Sequence, residues 1–188
     1  MIYVGVDPGI SGAVCVYNSE SREIKFHDTP IVTIKSGKTF KNQLDPHAAS
    51  RILQALDDED GILVTIEKVS AMPSVVGDDG HERRSMGVTS AFNFGMGFGM
   101  WIGICAALQL PYELVHPATW KSKLLAGMAK GKDASRVKAM QLFPQIAKDL
   151  ARKKDHGRAD ALMLAIYGVK YGSPQRPAQQ EEAEPTLF

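Results

Sequence analysis

The sequence predicts an α/β fold in which helices flank a mixed sheet of five strands. The first 28 residues contain three short apolar segments joined by tight turns, which predicts an antiparallel meander. A later segment, GILVTIEKV at 61–69, is continuously apolar, as expected for a parallel strand that is covered on both faces. Helical segments follow it, so the sheet is expected to lie between helical layers.

The individual elements follow from local patterns. We predict strands, rich in Val, Ile, Tyr and Phe, at 2–7, 12–17, 23–28, 61–69 and 111–115. A helix over 45–58 begins at Asp45 and Pro46 and repeats apolar residues at helical spacing. Residues 70–85 mix Pro, Gly and charges, which predicts a loop. Later helices are predicted to begin at Pro117, to span 133–143 and to span 157–171.

The segment 86–110 contains no charged residue and is predicted to be one long helix. Its length would allow it to cross a bilayer, and Gly95, Gly99 and Gly103 repeat at a spacing that lets helices approach closely. Its polar residues and the lack of a second span weaken the membrane interpretation. We favour a helix that is buried between the sheet and a partner subunit.

The chain is predicted to form one domain over residues 1–172, followed by a disordered tail at 173–188 that is rich in Pro, Gln and Glu. Cys15 and Cys105 lie in apolar surroundings without metal-binding spacing, which argues against a zinc site or a disulfide framework. The N-terminus does not resemble a signal peptide. We therefore expect a cytoplasmic protein.

Charge is distributed unevenly along the chain. Residues 117–158 contain 11 Lys and Arg against 3 acidic residues, whereas residues 1–116 contain 9 against 14. A local excess of this kind suggests a polyanionic partner, and the alternative is a solvated basic surface.

Three acids border or interrupt apolar sequence: Asp7 after the first strand, Glu67 after the fourth, and Asp160 early in the last helix. Each one alone is explained by a cap, a turn or a salt bridge. If the first and fourth strands are neighbours, however, Asp7 and Glu67 meet at one edge of the sheet, and the last helix can add Asp160. Converging carboxylates suit Mg²⁺, and two such ions can hydrolyse a phosphodiester.

Four segments in order carry a family resemblance: GVDPGISGAV, VTIEKV, LPYELVHPATWKSKLLAG with the following GKDASRVKAM, and DHGRADALMLAIYG. Together they resemble the motifs of the RuvC family of Holliday-junction resolvases, within the RNase H-like superfamily, in a phage-type or divergent form. The resemblance implies an RNase H-like fold and a homodimer that cuts four-way DNA junctions with Mg²⁺, or with Mn²⁺. It also implies that the products carry 5′-phosphate and 3′-hydroxyl ends.

Carried over by residue, the resemblance makes Asp7, Glu67 and Asp160 the metal ligands. The fourth family ligand lies three residues before the last acid, where this chain has Gly157. His156, one residue earlier, is our preferred ligand or general acid/base, with a structural role as the alternative; Asp155 is the other candidate and would also suit an N-cap. The expected DNA contacts are Lys121, Lys123, Lys132 and Arg136, with Arg83 and Arg84 from the loop.

Other functions stay open at this point. The same residues would serve an RNase H-like nuclease that acts on flaps or other branched DNA or RNA, and Gly157 is also compatible with a protein that binds junctions without cutting them. A sugar kinase or actin-type ATPase would need two domains of this kind. The terminal EPTLF vaguely resembles peptides that bind sliding clamps, although a leading Gln is missing.

Overall fold

The structure, a computed structural model, describes residues 1–37, 39–56, 61–70, 75–76, 82–83, 87–129, 131 and 133–173. Its strands are β1 (Ile2–Val6), β2 (Ala13–Asn18), β3 (Ile24–Asp28), β4 (Ile31–Ser36), β5 (Thr39–Leu44), β6 (Ile62–Glu67), β7 (Val75–Val76), β8 (Glu82–Arg83) and β9 (Tyr112–Val115). Its helices are α1 (Pro46–Gln54), α2 (Val88–Ala107), α3 (Pro117–Leu124), α4 (Ala134–Leu142) and α5 (His156–Tyr171), with 3₁₀ turns at Pro144–Ile146 and Lys153–Asp155.

Five strands form one mixed sheet in the order β3-β2-β1-β6-β9. The first three pair antiparallel, whereas β1 with β6 and β6 with β9 pair parallel. This arrangement confirms the predicted mixed sheet of five strands and the adjacency of the first and fourth of them.

Helices cover both faces of the sheet. Side chains of α3, α4 and α5 pack on one face, around residues such as Trp120 and Leu162. Side chains of α1 and α2 pack on the other face, around residues such as Leu53 and Trp101. Because β1 lies in the middle of the sheet, its alternate side chains belong to the two different cores.

Two hairpins were not predicted from the sequence. Strands β4 and β5 pair antiparallel from Ile31↔Leu44 to Ser36↔Thr39, in a segment for which we predicted no element. Strands β7 and β8 pair within the predicted loop at 70–85, so that loop prediction was incomplete. The predicted helix at 45–58 ends earlier, at Gln54, although Asp45 caps it as expected by accepting from the backbone N–H groups of His47 and Ala48.

The predicted tail at 173–188 lies outside the described residues except for Ser173, so its disorder and its clamp-binding peptide stay predictions.

Close backbone contact fixes α5 against the sheet. A Cβ atom at Gly5 of β1 would overlap the carbonyl oxygen of Ala161 and lie 2.5 Å from the amide nitrogen of Ala165. Arg158 adds a bidentate ion pair from α5 to Asp28 at the end of β3, with distances of 2.6 and 2.9 Å. Helix α5 therefore has little freedom to move relative to β1.

We predict that Gly5→Ala destabilises the protein by at least about 1–3 kcal/mol, because the added methyl group meets backbone that cannot move aside. Urea unfolding followed by circular dichroism measures the change. Gly131→Ala is the matched control, since its methyl group meets nothing within 4 Å among the described residues. Equal stability of the two variants would contradict the proposed packing constraint.

Candidate active site

Asp7 is the first residue after β1 and is held by the turn that follows it. The backbone N–H of Gly9 donates to its Oδ1 atom at 3.1 Å. A Cβ atom at Gly12 would overlap the carbonyl oxygen of Asp7 and lie 2.8 Å from its carboxyl carbon, so only glycine fits there. The pKa of Asp7 is raised to about 6, mainly by burial and also by the charge of Asp160, against lowering effects of Gly9, His156 and Lys121.

Glu67 is the last residue of β6 and lies beside Asp7. The parallel register pairs Val6 with Ile66, so the next residue of each strand emerges at the same edge of the sheet. Burial raises the pKa of Glu67 to about 7, and the charge of Asp7 contributes to the same shift. The carboxylate of Asp160 acts in the same direction, whereas Lys121 lowers this pKa.

Asp160 reaches this edge from α5. Burial raises its pKa, and a hydrogen bond from the hydroxyl of Ser135 on α4 opposes the shift. Ser135 is itself only 3% exposed, so it is a fixed donor for this carboxylate. Nothing in the sequence marked Ser135, because a serine in an amphipathic helix is ordinary.

Asp7, Glu67 and Asp160 therefore lie near one another at this edge of the sheet, and their surroundings are called the acid pocket below. Their charges act on one another's pKa values, which requires proximity in a poorly solvated place. Among the described residues, however, no three His, Cys, Asp or Glu side chains converge closely enough to hold a metal ion. The backbone thus brings these acids to one place, while their carboxylate oxygens do not meet at one point.

His156 and Gly157 begin α5 and differ sharply in their surroundings. The charge of His156 lowers the pKa of both Asp7 and Asp160, so this side chain belongs to the pocket. A Cβ atom at Gly157 would lie 2.5 Å from the carbonyl oxygen of Ser11 and 2.9 Å from Cα of Gly12. No side chain fits at position 157, which explains why this chain lacks a ligand there.

Asp155 is occupied by an internal partner. Its Oδ1 atom accepts from Arg152 Nη2 at 2.7 Å, and its Oδ2 atom accepts from the backbone N–H of Arg152 at 2.8 Å. This hydrogen bonding holds the pKa of Asp155 below its usual value. Asp155 stands at the N-cap position of α5 but makes no side-chain cap bond, so the suggested capping role is wrong.

Lys121, which we predicted to contact a DNA phosphate, lies close to the three acids. Its ammonium group lowers the pKa of Asp7, Glu67 and Asp160 alike. The same group lies 5.0 Å from the centre of the Trp120 ring, a cation–π contact that steadies it. Lys121 is thus the positive charge of the pocket.

Two of the remaining predicted DNA contacts have partners within the chain. Lys123 donates to the hydroxyl of Tyr167 at 3.3 Å and lies 4.3 Å from the centre of the Tyr171 ring. Arg136 bonds to Asp133 and to the carbonyl of Leu150, and its side chain is 16% exposed. An arginine held in this way is a structural link between α4 and the following turn, which does not support the predicted phosphate contact. Lys132, Arg84 and the side chain of Arg83 lie outside the described part of the chain.

Comparison with known proteins finds similarity of sequence in one region and similarity of fold over most of the chain. No protein-family model matches the chain. The chain is 39% identical over 71 residues, or 38% of its length, to the chloroplastic Holliday junction resolvase MOC1 of Chlamydomonas reinhardtii. The match spans 8% of the length of that relative.

Two solved structures share the fold across almost the whole chain. One is the Thermus thermophilus RuvC structure, with a TM-score of 0.52 and 14% identity over 94% of this chain and 100% of that one. The other is T. thermophilus RuvC in complex with a Holliday junction substrate, with the same TM-score and identity over 93% and 98% of the two chains. The predicted RNase H-like α/β fold is thereby confirmed.

The raised pKa of Asp7 predicts that its ionisation destabilises the metal-free protein. In the unfolded chain Asp7 ionises near pH 3.8 and in the folded chain near 6, so the penalty is absent below about pH 4 and complete above about pH 6. We expect Asp7→Asn to raise the free energy of unfolding in EDTA by up to about 3 kcal/mol at pH 8 and to have little effect at pH 4. Denaturant titrations at both pH values measure this, with the exposed acid variant Glu23→Gln as control. An unchanged difference across the pH range would contradict the assignment.

Proposed function

We propose that the protein is a divalent-metal-dependent endonuclease that resolves four-way DNA junctions by hydrolysing phosphodiester bonds. The observation that carries the proposal is the pocket of Asp7, Glu67 and Asp160, supplied by β1, β6 and α5. The RuvC fold and the regional similarity to a Holliday junction resolvase support the choice of substrate.

The donor set of the pocket suits a hard divalent cation. Its acids provide only oxygen ligands, and burial without a full complement of cations raises their pKa values. Asp7, Glu67 and Asp160 would hold Mg²⁺, or Mn²⁺, after small side-chain rotations that bring their oxygens together. Ions bound there would activate a water molecule and stabilise the leaving oxygen of a phosphodiester.

Other groups of the chain would orient the carboxylates, attract the phosphate and transfer a proton. Gly9 and Ser135 orient the carboxylates of Asp7 and Asp160 through the hydrogen bonds described above. The ammonium group of Lys121 is placed to attract the phosphate that would be cut. His156 lies at the edge of the pocket, and its imidazole is the candidate general acid or base of the site. The basic segment 117–158 supplies the field that attracts a polyanion.

A homodimer forms part of the proposal, because resolving a junction requires two incisions. Helix α2 buries only Gly97, Trp101 and Cys105 among its 20 residues, and leaves Val88 at 87% and Phe92 at 69% exposure. A second copy packing on this apolar face by twofold symmetry would cover it and supply the second active site.

A membrane is a weaker explanation of the same helix. Among the described residues α2 is the one helix long and apolar enough to cross a bilayer, with a mean hydropathy of 1.2. Its buried residues Trp101 and Cys105, however, belong to the core beneath the sheet. A cytoplasmic location, consistent with two free and buried cysteines, completes the proposal.

The nuclease assignment predicts that the wild-type protein cuts a synthetic four-way junction in Mg²⁺, symmetrically in opposite strands. Asp7→Asn, Glu67→Gln and Asp160→Asn should each lower the cleavage rate by more than about 100-fold, because loss of a residue outside the ligand shell of a metal site already costs about 10–100-fold. Denaturing gels of end-labelled junctions measure the rate, with Glu23→Gln as the control.

A metal-binding measurement separates the possible outcomes. Mg²⁺ or Mn²⁺ should raise the melting temperature of the wild type and leave that of Asp160→Asn nearly unchanged. Preferential cutting of flaps would favour a related nuclease with another branched substrate. If the protein with bound metal binds junctions tightly but does not cut them, its function is junction binding and not cleavage.

The dimer predicts that Phe92→Asp halves the mass seen by sedimentation at micromolar concentration and abolishes paired incision. A charge at this position would have to be buried without a partner in the interface. Val169→Asp, at an exposed apolar residue of α5, is the matched control and should stay dimeric. A wild-type monomer that still makes paired cuts would contradict this part of the proposal.

A further inference from the structure

The β4–β5 hairpin, residues 31–44, emerges directly beside the loop that carries Asp7. Thr29, two residues before it, is 6% exposed and donates its backbone N–H to Gly12 at 3.1 Å and its hydroxyl to Gly9 at 2.8 Å. Both acceptors are carbonyls of the turn that holds the Asp7 carboxylate. The base of the hairpin is therefore tied to the acid pocket.

The strand that leaves the hairpin is anchored at the same base. The backbone N–H of Asp45 donates to the carbonyl of Pro30 at 2.9 Å, which closes the hairpin at its base. The side chain of Asp45 then caps α1. Both strands are thus tied at the base of the hairpin, which therefore begins at a fixed place beside the pocket.

One face of the hairpin presents an aromatic ring and a cation side by side. Phe40 pairs directly with Lys35 across the strands, so both side chains stand on the same face. Phe40 is 72% exposed, the largest exposure among the apolar side chains of this hairpin, and Lys35 is exposed too. A phenylalanine this exposed keeps both faces of its ring accessible to a partner.

The charge of the hairpin indicates what that partner is. Residues 31–44 contain three lysines and no acidic residue, whereas over residues 1–116 acidic residues outnumber basic ones by 14 to 9. Lysine is depleted at protein–protein interfaces but is a standard phosphate contact in nucleic-acid complexes. An exposed ring next to a lysine is also what stacking on an unpaired base requires.

We propose that the β4–β5 hairpin is a second DNA-contacting element, in which Lys35 binds a backbone phosphate and Phe40 stacks on a base that is unpaired where strands exchange. The inference rests on the proposed junction substrate and adds a contact outside the basic segment 117–158. Stacking needs an accessible base face, so Phe40 should matter on a junction and hardly at all on a continuous duplex.

The test measures dissociation constants by fluorescence anisotropy for a four-way junction and for a linear duplex of the same arm sequence. All variants are made in the Asp7→Asn background so that the DNA stays intact. Phe40→Ala should weaken junction binding about fivefold or more, with little effect on the duplex, and Phe40→Trp should restore it. Lys35→Ala should weaken binding to both substrates and lower the slope of log affinity against log salt by about 1.

The control is Lys170→Ala, which removes an exposed lysine near the far end of α5. Hairpin variants that bind both substrates as this control does would overturn the inference. A change in dimer dissociation with unaltered DNA affinity per dimer would also overturn it and would make the hairpin a subunit contact. If the wild type neither binds nor cuts junctions, the proposed function itself fails. If the wild type does both and the hairpin variants bind DNA as the wild type does, only the hairpin assignment fails.

Discussion

The structure depends on the backbone contact between α5 and β1. Position 5 has no side chain, so Ala161 and Ala165 of the helix lie directly on the strand. The same closeness occurs one turn earlier in α5, where Gly157 lies on Ser11 and Gly12 of the loop that follows β1. These contacts set the height of α5 above the sheet, and thereby the place at which Asp160 meets Asp7.

That contact has an electrostatic consequence. Bringing Asp160 down to the sheet desolvates both it and the acids at the strand ends, which is why their pKa values are raised. Lys121, His156, Ser135 and the N–H of Gly9 oppose this effect only in part. Packing thus builds a pocket that favours neutral carboxyl groups at acidic pH and, at neutral pH, attracts positive charge from outside the chain. A local preference for positive charge is the direct result of where the helix lies.

The sequence predicted those features that follow from local periodicity. The strands and long helices are visible as alternating or helical patterns, and the adjacency of β1 and β6 follows from a meander and a parallel crossover. Asp7 and Glu67 were therefore predictable as neighbours. The β4–β5 hairpin was missed because its outer residues are polar and apolar side chains that face solvent, such as Thr33 and Phe40, so no buried face shapes the pattern.

Other features depend on packing and had no local signal. Whether Asp155 or His156 faces the acids is decided by Arg152, which engages Asp155 from three residues away. We expected Lys121 to contact a DNA phosphate, and it lies close enough to influence all three acids because α3 packs against α5.

The constraint at Gly157 has a chemical consequence of its own. Because there is no room for a side chain at that position, the nearest residue of α5 that can supply a further polar group is His156, one position earlier. An imidazole adds no negative charge, and Lys121 adds a positive one, so the pocket has a smaller negative charge than four carboxylates would give. If the proposed function is right, cation affinity in this chain should then depend more heavily on a DNA phosphate, which would supply oxygen ligands and negative charge that the protein itself lacks.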